Sequence, residues 1–170
     1  MAINECNYDF DELASKKLPE LYEALMKSME SPLLAAEFVG HKSASHGLLT
    51  KLNLTADFPG CYVFLDDKKA IYVGISRTLI KRLTQHLNHD SHYSANLAYK
   101  MASKHYPHEM KRDQAMKDEE FRKYFCQNQN RLQGMHIAFI EIGNDLELYL
   151  FEVYASMKLD TGTWNTFRTH

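Results

Sequence analysis

The sequence predicts an α+β fold, in which helices surround a small number of short strands. Apolar residues recur at helical spacing over residues 9–39, whereas two short apolar segments rich in aromatic residues, 60–65 and 70–74, have the composition of strands. At 170 residues, with 45% hydrophobic side chains, the chain has the size and apolar content of one domain with a packed core.

The order of the elements follows from periodicity and from capping residues. Pro19 and Pro32 are expected in the first turns of N-terminal helices, and Ser76 is expected to cap the helix that follows the two strands. The predicted elements, in chain order, are helices over 9–39, a connector at 40–50, a hairpin of strands 60–65 and 70–74 around Asp66–Lys69, a helix from Ser76 to about 88, polar helices at 94–105 and 113–125, a strand at 135–143, and a last helix from Asn144 or Asp145 to about Leu159.

These elements predict a division of the chain. We expect an N-terminal helical extension at residues 1–57 and a main domain at 58–170. A polar, basic helical insertion at about 90–131 is expected to interrupt the main domain.

The cysteines and the N-terminal sequence are used to predict the location of the protein in the cell. Cys6, Cys61 and Cys126 lie far apart, without the spacing of metal ligands, and indicate a reducing, intracellular environment. The acidic N-terminus lacks the features of a signal peptide, and no apolar run approaches the ~20 residues that cross a bilayer. We therefore expect a cytoplasmic protein with no membrane partner.

The net charge of −2 is unevenly distributed along the chain. Residues 1–40 sum to −5 and residues 132–170 to −3, whereas residues 41–131 sum to +6 and hold seven of the nine histidines. Because a local basic region can contact phosphates even in an acidic chain, a nucleic-acid partner is not excluded.

Four side chains suited to phosphate chemistry lie within 25 residues: Tyr62, Tyr72, Arg82 and His86. A guanidinium stays ionised and pairs well with phosphate oxygens, and a histidine one turn later can accept a proton or hold a phosphate. Each also has an ordinary explanation: strand tyrosines pack, an arginine on an amphipathic helix is solvated, and a histidine at the helix border finds a local partner.

Glu152 lies in the segment 148–155, which is apolar almost all round. An ionised carboxylate in such surroundings needs a partner, and a metal ion or Arg82 would serve. Alternatively, Glu152 belongs to a thin polar stripe of the helix, with Ser156 beside it. A single carboxylate indicates one Mg²⁺ or Mn²⁺ ion, held mostly through water and phosphate.

The motif Gly60-Cys61-Tyr62, followed ten residues later by Tyr72-Val73-Gly74, resembles the signature of the GIY-YIG nucleases. The remaining matches to that family are its arginine at Arg82, its frequent histidine at His86, its glutamate at Glu152 and its late asparagine at Asn165. The resemblance covers about residues 58–90 and 132–170. Ile75 stands where the repair members of the family often have lysine.

The resemblance implies a small three-stranded antiparallel sheet flanked by helices and a metal-dependent DNA endonuclease. Phosphodiester hydrolysis by a one-metal mechanism, with Mg²⁺ or Mn²⁺ at Glu152, is the implied reaction. Tyr62 is expected to take or relay a proton and Tyr72 to position water or phosphate, although these roles can be exchanged. Asn165 is expected to support the site by tying the C-terminal segment to the core.

Double-stranded DNA is the expected partner, contacted through the basic stretches 41–51 and 100–123. Phosphate contacts give affinity without sequence preference, so no target sequence follows. A restriction or defence role is preferred over repair or mobile-element roles, because the additions are large enough to recognise DNA. The oligomeric state stays open, a homodimer included, since cutting both strands requires two sites or two events.

Two other classes of function remain open at this stage. The first is a non-catalytic nucleic-acid-binding protein that retains the GIY-YIG fold. The second is an interaction domain in which the tyrosines serve only as packing residues. Retention of all four key side-chain types argues against lost activity.

A shared site requires both phenols on one face of the hairpin. A four-residue loop from Asp66 to Lys69 pairs Leu65 with Ala70 and places the tyrosines on opposite faces. We therefore predict a three-residue loop that pairs Leu65 with Lys69 and places the tyrosines directly opposite each other, or a bulge with the same effect.

Overall fold

The structure is a computed structural model that describes residues 3–167. The strands within this range are β1 (Leu33–Leu34), β2 (Gly60–Asp66), β3 (Lys69–Ser76) and β4 (His136–Glu141). The α-helices within it are α1 (Phe10–Glu12), α2 (Leu18–Met29), α3 (His46–Lys51), α4 (Leu79–Asn88), α5 (Asn96–His105), α6 (Arg112–Ala115), α7 (Glu119–Gln133) and α8 (Asp145–Lys158). A π-helical segment (Leu13–Lys17) joins α1 to α2, and 3₁₀ turns lie at Ile3–Glu5 and Ala35–Phe38.

The strands form one sheet in the order β1-β4-β2-β3, with β2 antiparallel to both β3 and β4. The predicted α+β class is confirmed, and so are the three strands expected from the sequence. The sheet differs from the prediction by a fourth strand, because the two residues of β1 were expected to be helical. Two residues are too few to display the alternation that identifies a strand.

The described residues fall into two compact units. The first, here called the sheet unit, comprises 3–33, 58–79 and 136–167. The second, the helical unit, comprises 34–57 and 80–135.

The core of the sheet unit lies between one face of the sheet and the helices α2 and α8. Cys61 and Val63 of β2 and Val73 of β3 belong to a buried cluster with Leu25 of α2 and Phe151 of α8. Each large apolar side chain buried in this way contributes roughly 1.5–3 kcal/mol.

The start of α8 is as predicted. The Asn144 side chain caps this helix by accepting hydrogen bonds from the backbone N–H groups of Leu146 and Glu147, at 2.9 and 3.2 Å.

The helical unit differs from the prediction at three places. Ser45 caps α3 inside the expected connector. The predicted helix at 113–125 is two helices, α6 and α7. The predicted cap of α4 by Ser76 is wrong: Asp57 accepts hydrogen bonds from the N–H groups of Ile80 and Lys81, at 2.8 and 3.0 Å. This carboxylate lies 23 residues before the amides that it caps, so a local capping pattern could not identify it.

The lengths and compositions of the helices decide whether any of them could cross a membrane. None of the helices described between residues 3 and 167 combines the length and the apolar composition needed to cross a bilayer.

Candidate active site

Tyr62 and Tyr72 lie on the same face of the β2–β3 hairpin. Across the two strands Tyr62 pairs with Gly74 and Phe64 pairs with Tyr72, so the two tyrosines are diagonal neighbours. Their ring centroids are 6.3 Å apart. The predicted shared face of the two phenols is therefore confirmed.

A two-residue turn followed by a bulge produces this register. Asp67 and Lys68 form the turn with φ angles of 46° and 67°, and positive φ at both central residues is typical of tight hairpins. Leu65 pairs with Ala70, and the register then shifts so that Ile71 is the extra residue. The predicted three-residue loop is wrong, whereas its alternative, a bulge with the same effect, is confirmed.

Gly74 allows the Tyr62 ring to lie across the neighbouring strand. A Cβ atom at position 74 would overlap Cζ and the hydroxyl oxygen of Tyr62. The Tyr62 ring also contacts Phe64 nearly edge-on, with centroids 6.0 Å apart, and only 1% of Tyr62 is exposed. The glycine of the second motif thus fixes the position of the tyrosine of the first.

Glu152 lies at a cavity beside the end of β3. Glu152 is half-buried, and the cavity has a volume of about 200 Å³. Its lining residues are Ile75, Ser76, Arg77, Asp145, Leu148, Tyr149 and Glu152. Because consecutive strand residues point to opposite faces, a cavity lined by both Ile75 and Ser76 lies around the strand end.

The pKa of the Cys61 thiol is affected by the Glu152 carboxylate. Burial, together with a smaller contribution from the Glu152 carboxylate, raises the pKa of the Cys61 thiol far above its ordinary value. Strand alternation places the Cys61 and Tyr62 side chains on opposite faces of the sheet. The thiol is therefore protonated at neutral pH and serves as a core residue.

Arg77, which the sequence analysis did not single out, lines the same cavity as Glu152. Its Nε donates to Asp145 Oδ1 at 3.0 Å, and its Nη2 donates to Asp145 Oδ2. The Asp145 carboxylate raises the pKa of Arg77 through these hydrogen bonds and its charge. The position of Arg77, three residues after the motif glycine, is the one sequence signal that could have identified it.

Asn165 binds the edge strand of the sheet. Its Oδ1 accepts a hydrogen bond from the Val73 N–H at 2.9 Å, and its Nδ2 donates to the Val73 carbonyl at 2.8 Å. Both backbone groups lie between the motif residues Tyr72 and Gly74. The side-chain amide thus takes the place of a strand partner at the sheet edge.

Arg82 and His86 lie one turn apart on α4, in the helical unit. The Nη1 of Arg82 donates to the Ser94 carbonyl at 2.9 Å. Burial, followed by the positive charges of Arg82 and Lys100, lowers the pKa of the fully buried His86 well below 6.5. The His86 imidazole is therefore neutral at pH 7, the form that can accept a proton.

The oxygen atoms around Glu152 fit a single hard cation. Arg77 binds Asp145, and the other oxygen groups of the lining include the Glu152 carboxylate and the hydroxyl groups of Ser76 and Tyr149. Within residues 3–167, no group of three or more His, Cys, Asp or Glu side chains is placed to hold a metal ion. Mg²⁺ usually keeps several waters and uses one or two carboxylates with substrate phosphates, so Glu152 is the residue that would hold it.

Comparison with known proteins gives one family. The model of the GIY-YIG catalytic domain matches residues 58–160, a range that contains both tyrosines, Arg82, His86 and Glu152, while Asn165 lies beyond its end. No curated protein matches the chain.

Two solved structures resemble the chain at low identity. They are point mutants of the GIY-YIG N-terminal endonuclease domain of UvrC from Thermotoga maritima, each bound to a catalytic divalent cation, and they are 15% and 16% identical to this chain. Each match covers 72% of this chain and 99% of that domain, with a TM-score of 0.38.

Proposed function

Because the chain belongs to the GIY-YIG family of endonucleases, we propose that it hydrolyses phosphodiester bonds of DNA with the help of one divalent cation, Mg²⁺ or Mn²⁺. Nuclease activity follows from the family, whereas the DNA substrate, the cation and the residue roles are the proposal. The observation that carries it is the shared face of Tyr62 and Tyr72. A bulge that reorients a side chain is typical of strands beside active sites.

Glu152 is assigned to the cation. Glu152 is half-buried and lines the cavity together with the apolar residues Ile75 and Leu148, and charge interactions in such surroundings are stronger than in open water. Bound there, a divalent cation supplies polarisation of the phosphate and a more acidic water.

The two phenols are assigned to the attacking water. Tyr62 takes or relays a proton from it, and Tyr72 positions the water or the phosphate; the exchanged assignment satisfies the shared face equally well. The ordinary pKa of a phenol is about 10, so proton acceptance at neutral pH requires positive charge nearby.

Arg82 is assigned to charge stabilisation, because its guanidinium stays ionised and presents forked donors to phosphate oxygens. His86 is assigned to accepting a proton or holding a phosphate; its lowered pKa keeps the imidazole neutral and makes it a weak base. Asn165 supports the site through the backbone of Val73.

Double-stranded DNA is the proposed partner, and restriction or defence is the proposed role. The helical unit holds twelve basic and eight acidic residues, for a net charge of +4, and includes the basic stretches 41–51 and 100–123. Positive charge of this kind binds the DNA backbone without reading its sequence. The extension at 1–57 and the insertion at 90–131 are proposed as additions to the nuclease domain at 58–170.

The test is cleavage of supercoiled plasmid by the purified protein with Mg²⁺, with Mn²⁺ and with a chelator. Glu152→Gln is expected to reduce the rate by about 10³-fold, because it removes the carboxylate that holds the cation. Glu141→Gln is the matched control, since Glu141 is an exposed carboxylate on β4 and undergoes the same change of charge. The control is expected to cut like the wild type.

Two outcomes would contradict the proposal. Equal nicking by the wild type and Glu152→Gln would indicate a contaminating nuclease. Binding of DNA without cleavage under any of these conditions would indicate a non-catalytic nucleic-acid-binding protein.

A further inference from the structure

Arg77 is a positively charged side chain that lines the cavity at Glu152 and has no role in the proposed reaction. Arg77 follows the last residue of β3 directly, and it is the only cationic side chain among the described lining residues. Its side chain is 74% exposed, yet the ion pair with Asp145 fixes its orientation. The pair engages Nε and one N–H of Nη2, so other guanidinium N–H groups can meet a second acceptor.

Asp145 is not needed to begin helix α8. The backbone N–H groups of Leu146 and Glu147 are capped by the Asn144 side chain, and Asp145 makes its ion pair from the first turn of the helix. An ion pair this exposed contributes little to stability, so a competing anion can separate it at small cost. The ion pair between Asp145 and Arg77 therefore serves to hold the Arg77 guanidinium beside the cavity.

The size and the charge of the surroundings point to a phosphate as that anion. The cavity, with a volume of about 200 Å³, leaves room for a phosphate group. The sheet unit has a net charge of −7 over its seven basic and fourteen acidic residues, so a polyanion that approaches Glu152 needs a local cation. A guanidinium pairs with phosphate oxygens through two parallel hydrogen bonds, as it does here with a carboxylate.

We propose that Arg77 binds a backbone phosphate of DNA at the Glu152 cavity, and that Asp145 holds the guanidinium in place until the phosphate displaces it. The inference rests on the proposed function, because it takes DNA as the ligand. It assigns to the site a phosphate-binding residue and a carboxylate that competes with the phosphate.

The test is binding of a fluorescent DNA duplex by the full chain, measured by anisotropy at several NaCl concentrations with Ca²⁺ in place of Mg²⁺. Arg77→Gln is expected to weaken binding about tenfold at low salt and to reduce the slope of log affinity against log salt by about one. Lys27→Gln is the matched control, because Lys27 is an exposed cation of the sheet unit that does not line the cavity. The control is expected to change the slope by much less.

Asp145→Asn tests the competing carboxylate. This substitution is expected to tighten DNA binding severalfold more than Asp160→Asn, which removes the same charge from an exposed residue outside the cavity lining. In an Arg77→Gln background, the advantage of Asp145→Asn over Asp160→Asn is expected to disappear. Thermal unfolding of each variant establishes that it is folded.

The outcomes separate the inference from the proposed function. If the wild type binds and cuts DNA while Arg77→Gln matches Lys27→Gln in affinity and slope, the inference is overturned and the proposed function stands. An Asp145→Asn advantage that persists without Arg77 would overturn the competing role of Asp145. A wild-type chain that neither binds nor cuts DNA would overturn both.

Discussion

The sheet unit and the helical unit differ in charge and in the chemistry of their side chains. The sheet unit has a net charge of −7, Arg168 lying outside its described residues, and contains Tyr62, Tyr72 and Glu152. The helical unit has a net charge of +4 and contains Arg82. Seven of the nine histidines, His86 included, also belong to the helical unit. The near-neutral total of −2 therefore conceals one part suited to a cation and another suited to a polyanion.

The difference extends to how each unit holds its chemical groups. In the sheet unit, backbone pairing decides which face the phenols occupy, and an amide side chain completes the edge strand. In the helical unit, side chains bound to backbone carbonyls fix the position of α4: Asn88 donates to the carbonyl groups of Phe38 and His41, at 2.9 and 3.0 Å. Three predictions test whether this division also holds in function.

The largest expected effect is at Arg82, the cation that the helical unit is proposed to contribute. Arg82→Gln is expected to lower the single-turnover cleavage rate by about 10²–10³-fold, because the charge that stabilises the reacting phosphate is lost. Arg82→Lys should retain part of the activity, since it keeps the charge but not the forked donors. Plasmid nicking at saturating protein concentration measures both.

Lys81→Gln is the control for Arg82, as a neighbouring exposed cation on the same helix. An equal loss in Lys81→Gln would mean that the helical unit contributes only general positive charge. Full activity in Arg82→Gln would remove the helical unit from the reaction.

An intermediate effect is expected at Asn165, the residue that completes the sheet edge. Asn165→Ala is expected to lower the free energy of unfolding by about 1–3 kcal/mol, because the N–H and C=O groups of Val73 lose their partner. Urea denaturation measures the change, with the exposed neighbour Thr166→Ala as the control. A change within about 0.5 kcal/mol would show that water replaces the amide without penalty.

The smallest effect is expected from the buried neutral histidine of the helical unit. The pKa of His86 is lowered in the folded protein, so below pH 6.5 the unfolded chain binds the proton more readily than the folded one. The stability contributed by His86 is thus complete above pH 6.5 and is lost as the pH falls towards its folded pKa, by up to about 1.4 kcal/mol per pH unit.

Urea denaturation at about pH 7.5 and about pH 5.5 tests this dependence. The wild type is expected to lose more stability on acidification than His86→Gln does. His136→Gln, at a half-buried histidine of the sheet unit, serves as the control. An unchanged pH dependence in His86→Gln would place the titrating group elsewhere.

Much of the sheet unit could be predicted from the sequence, because its signals are local. The composition of two short strands predicts the hairpin, and Asn144 predicts the start of α8. The turn at Asp67 and Lys68 could not be predicted, since Lys68 stands at the second central position, where glycine usually adopts the positive φ of a hairpin turn.

The parts that sequence reasoning missed depend on contacts between distant residues. Asp57 caps α4 from 23 residues away. The sequence predicts that Asn165 ties the C-terminal segment to the core, but not that its partner is the backbone of Val73, 92 residues away. Arg77 was missed because its position three residues after the motif glycine is its one local signal, and its partner Asp145 lies 68 residues away. Its environment becomes evident only when the cavity at Glu152 is seen.

The bulge at Ile71 has a consequence for how hairpins of this kind vary in length. Because Ile71 pairs with no residue of β2, its deletion would leave the neighbouring pairs, Leu65 with Ala70 and Phe64 with Tyr72, as they are. Homologous hairpins can therefore be one residue shorter here without turning either phenol to the other face. Searches for such sites should accept a variable interval between the tyrosines and require a common face instead.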